Sequence, residues 1–261
     1  MKEFLETAIA AACAAGGLQK ERYGGVLDIR YKGETDLVTE VDNACEALIV
    51  GMIRKRYPGH DILAEENEYA PLRSGYTWVI DPLDGTTNYA HGIPWFCVSI
   101  ALEIEGTIQV GVISHPMMDQ LFTGVKGEGA WLNGERLSVS QRTPLRKSLL
   151  ATGFPYDRFA GSDNNFSNFC KFQVAARAVR RFGAAALDLA YVATGRLDGF
   201  WEAKLKPWDV AAGALLVEEA GGAVTGYGGE PYDIRNHRIV ASNALIHHEM
   251  LEILAAGENP E

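Results

Sequence analysis

No stretch of this 261-residue chain is apolar for long enough to cross a membrane as a helix. The longest such run, residues 8–18, has 11 residues where about 20 are needed. As a secretion signal it would offer Ala12-Cys13-Ala14 as a cleavage site, but Glu3 and Glu6 spoil the positive region such signals need. Phe4, Leu5, Ala8, Ile9 and Ala12 instead form one stripe of an amphipathic helix. Cysteine is scarce. Cys13, Cys45, Cys97 and Cys170 lack zinc or thioredoxin spacing and are too few to staple a chain this size, so they read as buried small hydrophobes in a reducing cytoplasm. Positive charge is short as well: 24 Lys and Arg against 34 Asp and Glu leave a net charge of −10. A field of that sign speaks against sequence-independent binding to nucleic acid and against docking on anionic membranes. Repeats and low-complexity segments are absent, and so are Gly-x-x-x-x-Gly-Lys-Ser/Thr, Gly-x-Gly-x-x-Gly and His-Glu-x-x-His.

What remains is the composition of a soluble globular protein with a substantial core, 47% hydrophobic. Helical spacing of Val41, Cys45, Leu48, Ile49, Met52 and Ile53 predicts a helix after Thr39, stopped by Pro58-Gly59. His60 to Ala64 and Trp78 to Ile80 read as short strands, and residues 97–140 as a strand meander. Glu105-Gly106 and Asn133-Gly134 are its hairpin turns. Beyond Pro144 helices and strands mix. A helix over 184–194 closes at Gly195, and Leu197 to Ala203 alternates like a strand with Glu202 on one face. Pro207 then opens a nearly all-apolar helix over 210–220 that ends on Gly221-Gly222. The expected class is α+β, a layered sandwich. A doubly wound plan is disfavoured because hairpins stand where crossover helices should be. Residues 1–143 and 144–261 are expected as two subdomains of one catalytic unit.

The acidic turn Asp81-Pro82-Leu83-Asp84-Gly85-Thr86-Thr87-Asn88 follows the 78–80 strand. Pro82 stiffens it, so the two carboxylates keep a set separation. Two carboxylates and the Leu83 carbonyl are oxygen-only ligands of the kind Mg²⁺ prefers. Gly85 allows close backbone approach, and the N–H groups of Gly85, Thr86 and Thr87 can cradle phosphate oxygens if a helical turn starts there. An EF-hand fails, since its third and fifth positions would be Leu83 and Gly85. An ordinary acidic turn accounts for these residues equally well. Asp209, in the first turn after Pro207-Trp208, suits either the helix dipole or a metal. Glu65-Glu66, at a strand end, suits either a metal or solvent.

Taken together, these segments resemble the inositol monophosphatase family of magnesium-dependent, lithium-sensitive phosphatases. The resemblance rests on DPLDGTTNYAH at 81–91 and PWDVAAGALLVEEAGG at 207–222. KGETDLVTEVD at 32–42, ILAEEN at 62–67, GAWLNGERLSVS at 129–140 and RRFGAAALDLAYVATGRLDGFWEA at 180–203 support it. It spans nearly the whole chain in the family's order and implies a layered α/β/α/β/α sandwich. By similarity, Glu65, Asp81 and the Leu83 carbonyl hold one Mg²⁺. Asp81, Asp84 and Asp209 hold a second, and a third lies near Glu65. Thr86 with Asp42 resembles the pair that orients and helps activate the attacking water, and Gly85, Thr86 and Thr87 the phosphate cradle. Glu202, Asp84 and Asp209 match positions that bind the hydroxyls of a polyol. Gly183, Ala184 and Ala185 line the same pocket, and Arg180 reaches it in bacterial-type members. Ala64 departs from the Gly of many members, which leaves ligation undisturbed. Cys97 lies in an apolar strand without the Cys-x5-Arg loop of thiol phosphatases, so nothing points to a phosphoenzyme.

The resemblance implies hydrolysis of myo-inositol 1-phosphate or a similar small polyol phosphate by a cytoplasmic homodimer. Thr87 stands where relatives acting on 3′-phosphoadenosine phosphate usually have Lys and archaeal fructose-bisphosphatase relatives often have Tyr. Fructose 1,6-bisphosphate and histidinol phosphate remain as rival substrates. A non-catalytic interaction protein that keeps the fold remains as the rival of another class.

Overall fold

The computed structural model describes residues 1–26, 28–31, 37–71, 73–159, 161 and 163–256. Residues 32–36 of the KGETDLVTEVD segment, and the final residues 257–261, lie outside the described residues. In chain order the elements begin with α1 (Lys2–Arg22), β1 (Ile29–Tyr31), β2 (Leu37–Thr39), α2 (Glu40–Arg56), β3 (Asp61–Ala64), β4 (Tyr76–Asp84) and α3 (Thr86–Ala90). The meander follows as β5 (Cys97–Ile104), β6 (Thr107–His115), β7 (Gln120–Val125), β8 (Gly129–Leu132) and β9 (Glu135–Arg136). The remainder is β10 (Leu149–Thr152), α4 (Phe166–Ala175), β11 (Ala178–Arg180), α5 (Ala185–Ala193), β12 (Gly199–Ala203), α6 (Pro207–Glu219), β13 (Ala223–Thr225), β14 (Arg238–Ser242) and α7 (His247–Ala255).

Local chemistry accounts for most of these boundaries. Thr39 caps α2 through a reciprocal box: its hydroxyl accepts from the Val41 N–H, and Asp42 accepts from the Thr39 N–H. Glu105-Gly106 and Asn133-Gly134 all have positive φ, as tight hairpins between twisted strands require. Strands β3 to β9 then lie side by side in chain order as one seven-stranded sheet, antiparallel except for β3 beside β4. A second sheet has the order β11-β10-β12-β14-β13, with β10 parallel to both of its neighbours.

Three cores separate five layers. Small residues of α1 (Ala8, Ala11, Ala12 and Ala15) and the apolar face of α2 cover one side of the large sheet against Trp78, Ile80 and Ile100. Its other side, with Val79, Cys97 and Ala101, faces α5 and α6. Those two helices are buried almost all round because the second sheet lies on their far side, with Phe200, Ile239 and Ala241 against them. The outer face of that sheet, including Trp201 and Val240, is closed by α4 and α7. The result is the expected α/β/α/β/α sandwich.

Two expectations need correction. The strand expected over 197–203 with Glu202 on one face is found as β12, which starts two residues later at Gly199 and has all five of its residues buried. It is the central strand of its sheet, so Phe200 and Glu202 face α5 and α6 while Trp201 faces α4. The four cysteines are free thiols, but only Cys45 and Cys97 are buried. Cys13 and Cys170 sit on the outward faces of α1 and α4. Among the described residues no helix is long and apolar enough to cross a membrane.

The outermost core depends on one stack: Phe172 of α4 lies on Trp201 with ring centroids 3.9 Å apart, and the Trp201 indole N–H donates to Asn165 at 2.8 Å. Phe172→Ala is expected to cost about 3–5 kcal/mol in chemical denaturation, and Phe172→Leu distinctly less. Equal costs for the two would show that the stack is not what holds α4.

Candidate active site

Strand β4 is apolar and buried until it reaches Asp81. There its pairing with β5 slips: Asp81 lies opposite Ser99 and Asp84 opposite Cys97, so three steps on β4 match two on β5. The extra residue is a bulge. In a regular strand residues three apart point to opposite faces. The bulge cancels that reversal, and both aspartates come out on the inner face, beside Cys97 and between the two sheets. The turn is tied from behind by Gln19 of α1, which is fully buried and donates to the Pro82 carbonyl at 2.8 Å.

Gly85 then turns the chain with φ +97°. A Cβ there would stand 2.8 Å from the Trp95 carbonyl, so only glycine fits. Helix α3 starts at the next residue and leaves its first N–H groups pointing back at the acidic turn. Thr86 Oγ1 lies 2.9 Å from Asp42 Oδ1 and 3.0 Å from the Leu83 carbonyl. Asp42 is wholly buried, and its other oxygen accepts from the Thr39 N–H at 2.9 Å and the Thr39 hydroxyl at 2.6 Å. Burial raises the Asp42 pKa, and the hydrogen bonds from Thr39 and Thr86 oppose that rise.

Other elements deliver the remaining acids. Asp209 is the third residue of α6 and accepts from the Lys206 N–H at 2.7 Å, closing the cap of that helix. Glu65 leaves the end of β3. Its loop is organised by the buried Glu46 of α2, which accepts from the Glu66 N–H, the Asn67 amide and the Tyr69 hydroxyl at 2.8–2.9 Å. Asp84 accepts from the Ala186 N–H at 2.7 Å, an otherwise unpaired donor in the first turn of α5.

Glu65, Asp81, Leu83, Asp84, Gly85, Thr86, Glu202 and Asp209 thus line one cleft of about 400 Å³. Burial, followed by repulsion from Glu65, lifts the carboxyls of Asp81 and Asp209 well above the ordinary range. Burial raises Asp84 to about 7, opposed by the Ala186 N–H, and raises Glu202 to about 8, opposed by the Arg181 guanidinium. Glu202 lies so close against Gly153 that a Cβ there would collide with its carboxylate.

Among the described residues no three His, Cys, Asp or Glu side chains are already closed around a point as a ligand cage. The donor set is carboxylate and main-chain oxygen along an open cleft, which fits a hard divalent ion that keeps several of its waters. The nearby sulfur, Cys97 Sγ, is 3.8 Å from Asp84 Oδ2. Burial pushes its thiol pKa well up, so it stays protonated and is a poor ligand.

Two expected contacts are not made. Arg180 ends the edge strand β11 with its side chain exposed and Nη1 donating to the Val179 carbonyl. The next residue, Arg181, lines the pocket instead, together with Gly183, Ala184, Ala185 and Asp188. Alternation along an extended segment moves a one-residue offset to the other face. Thr87 lies outside the cleft wall, one step further into α3. Gln19, Glu46, Gly153, Arg181 and Asp188 escaped sequence reasoning because each acts through a neighbour distant in sequence.

A layered α+β fold with an all-oxygen acidic cleft beside free main-chain N–H groups defines a hydrolase acting on phosphate esters. The chain belongs to the inositol monophosphatase family, a metal-dependent phosphatase family, whose model matches residues 1–257. It is 46% identical over 258 residues to an inositol-1-monophosphatase of Synechocystis, covering 98% of this chain and 90% of that protein. It is 47% identical over 251 residues to a Pseudomonas aeruginosa protein named Nus factor SuhB, covering 93% and 92%. The inositol monophosphatase of Anabaena superposes with a TM-score of 0.88 at 47% identity, covering 98% and 96%. An IMPase/NADP phosphatase complexed with Mg²⁺ and phosphate superposes at 0.79 with 26% identity, covering 88% and 87%.

The raised carboxyls make metal-free stability fall with pH. Asp84 titrates near 3.8 when unfolded and about 7 when folded, so its contribution is full below pH 4 and is lost as pH rises through 7. In EDTA the melting temperature is expected to drop between pH 5 and pH 8. Millimolar Mg²⁺ should raise it, more at pH 8 than at pH 5, because protons and cation compete for the same oxygens. A melting temperature indifferent to Mg²⁺ at pH 8 would contradict the site.

Proposed function

We propose that the protein hydrolyses myo-inositol 1-phosphate, or a small polyol phosphate like it, to the free alcohol and inorganic phosphate. The observation that carries this reading is the Thr86–Asp42 hydrogen bond at the wall of a cleft floored by Glu65, Asp81, Asp84 and Asp209. Two to three Mg²⁺ ions, held by those four carboxylates and the Leu83 carbonyl, would supply the Lewis acidity that acidifies water and neutralises phosphate oxygens. Thr86 commits its hydroxyl proton to Asp42, which leaves its lone pairs to accept from a water and aim it at phosphorus. The N–H groups of Gly85 and Thr86 receive phosphate oxygens at the positive end of α3. Glu202, Asp84 and Asp209 take the hydroxyls of the leaving alcohol. Attack is direct, since the buried Cys97 thiol stays protonated and is no nucleophile.

The name of the Synechocystis relative supports the substrate, and the Mg²⁺ and phosphate of the IMPase/NADP phosphatase neighbour support the ion. Residues 1–143 and 144–261 act as two subdomains of one catalytic unit, since the acids come from β4 on one side and α6 on the other. We place the protein in the cytoplasm as a homodimer, without nucleic-acid or membrane partners. The name Nus factor, carried by the Pseudomonas relative, favours a second reading in which the same fold also binds another macromolecule.

Phosphate release from myo-inositol 1-phosphate is expected to vanish in EDTA, return with Mg²⁺ and weaken with lithium. Asp84→Asn should cut turnover about a hundredfold or more while the melting temperature moves by a few degrees at most. Retained turnover in that variant would sink the ligation scheme. Fructose 1,6-bisphosphate or histidinol phosphate proving a hundredfold better would overturn the substrate. Light scattering of the purified protein should give twice the chain mass, and a monomer at micromolar concentration would remove the dimer.

A further inference from the structure

The peptide unit between Pro82 and Leu83 is held at both ends. Its N–H, on Leu83, donates at 3.0 Å to Oδ1 of Asp81, a cleft residue. Its carbonyl, on Pro82, accepts at 2.8 Å from Nε2 of Gln19, which comes from α1 on the other side of the large sheet. A trans peptide is planar, with C=O and N–H pointing in opposite directions, so whatever fixes one fixes the other. Gln19 therefore reaches Asp81 through a single peptide plane, from a helix that contributes no residue to the cleft.

The bulge makes this hold necessary. Regular pairing of β4 with β5 breaks off between Asp81 and Asp84, and Pro82 has no N–H to offer. The Gln19 amide stands in for the missing ladder, since Nε2 also donates to the Cys97 carbonyl of β5 at 3.4 Å. Its own oxygen, Oε1, is buried without a hydrogen-bond partner. A leucine or methionine would avoid that cost, so packing alone does not account for glutamine here, and its N–H donors do. Gly16, one turn earlier, lets α1 lie close on β6, where a Cβ would stand 3.1 Å from Ser114 Oγ. The end of α1 is then fastened: Tyr89 of α3 donates to the Gln19 carbonyl at 2.9 Å, and the Tyr23 hydroxyl donates to the Gly92 carbonyl.

We propose that Gln19 is a positioning residue for the acidic turn. It sets the orientation of the Asp81 carboxylate and, one residue on, of the Leu83 carbonyl, and through them the affinity for a divalent cation. The assignment rests on the metal-dependent phosphatase reading and deepens it, because part of the metal affinity is then set by a helix that carries none of the ligands. Without the amide the Pro82–Leu83 plane is free to turn. Asp81 then loses its directed N–H, and the two ligand oxygens no longer converge before the ion arrives.

Calorimetric titration with Mg²⁺ alone tests this on the parent and three variants. Gln19→Met fills a similar space without donors, and Gln19→Asn keeps the amide but draws it back by one methylene. Phe172→Leu is destabilised in the outermost core, remote from the cleft. Mg²⁺ is expected to bind Gln19→Met about tenfold more weakly than the parent, Gln19→Asn in between, and Phe172→Leu as tightly as the parent. The Mg²⁺ concentration for half-maximal turnover should rise by the same factor in Gln19→Met. Equal affinity in the parent and Gln19→Met overturns the assignment, and should Gln19→Met not fold, equal affinity in Gln19→Asn does so. A loss in Phe172→Leu as large as in Gln19→Met overturns it too, since reduced stability alone would then explain both. A parent that binds no Mg²⁺ removes the metal reading together with the assignment. A parent that binds Mg²⁺ in this Gln19-dependent way yet hydrolyses no phosphate ester sinks the hydrolytic reading and leaves the assignment standing.

Discussion

Glu65, Asp81, Asp84 and Asp209 repel one another, and the fold holds them together against that repulsion. Leu83, Ala186 and Lys206 lend main-chain N–H groups to Asp81, Asp84 and Asp209, while Glu46 gathers the loop that carries Glu65. Main-chain donors place a carboxylate without cancelling its charge. The acids therefore keep their appetite for a cation, and burial sharpens it by lifting their pKa values together.

That constraint explains the architecture around the cleft. The anchoring donors are largely unpaired groups at helix starts, the first turns of α5 and α6, and such ends must point at the acids rather than at solvent. Both helices therefore lie between the two sheets with their N-termini at the same edge, where β4 bulges and β12 brings Glu202. The net charge of −10 takes on a different meaning in this setting. It disfavours anionic partners for the bare protein, yet its most buried part is gathered in one cleft, where a hard cation would offset it.

The layered fold was largely legible along the chain. Period and turn chemistry marked α2, the hairpins at Glu105-Gly106 and Asn133-Gly134, and the buried helix after Pro207, since each is set by residues within a few positions of one another. Burial was read less well. Cys13 and Cys170 resemble Cys45 and Cys97 in type, and only the direction of a helix face separates them. β12 alternates in composition yet is covered on both sides, because its neighbours in the sheet come from distant parts of the chain.

The candidate site divides along the same line. The acids, the Gly85 turn and the Thr86–Asp42 pair could be named from the sequence because motif and family resemblance point to them directly. The sequence by itself determined which groups the chain brings to the site: oxygen donors on an acidic turn, a glycine that lets the backbone approach closely, and family membership. Only the tertiary structure decided geometry. A one-residue bulge puts Asp81 and Asp84 on the same face, and a one-residue offset sends Arg180 out to solvent and Arg181 into the pocket. The packing of α5 leaves Asp188 buried beside the substrate cleft. Strand geometry reverses a side chain with every step, so facing depends on register, and register is set by partners that local sequence does not contain.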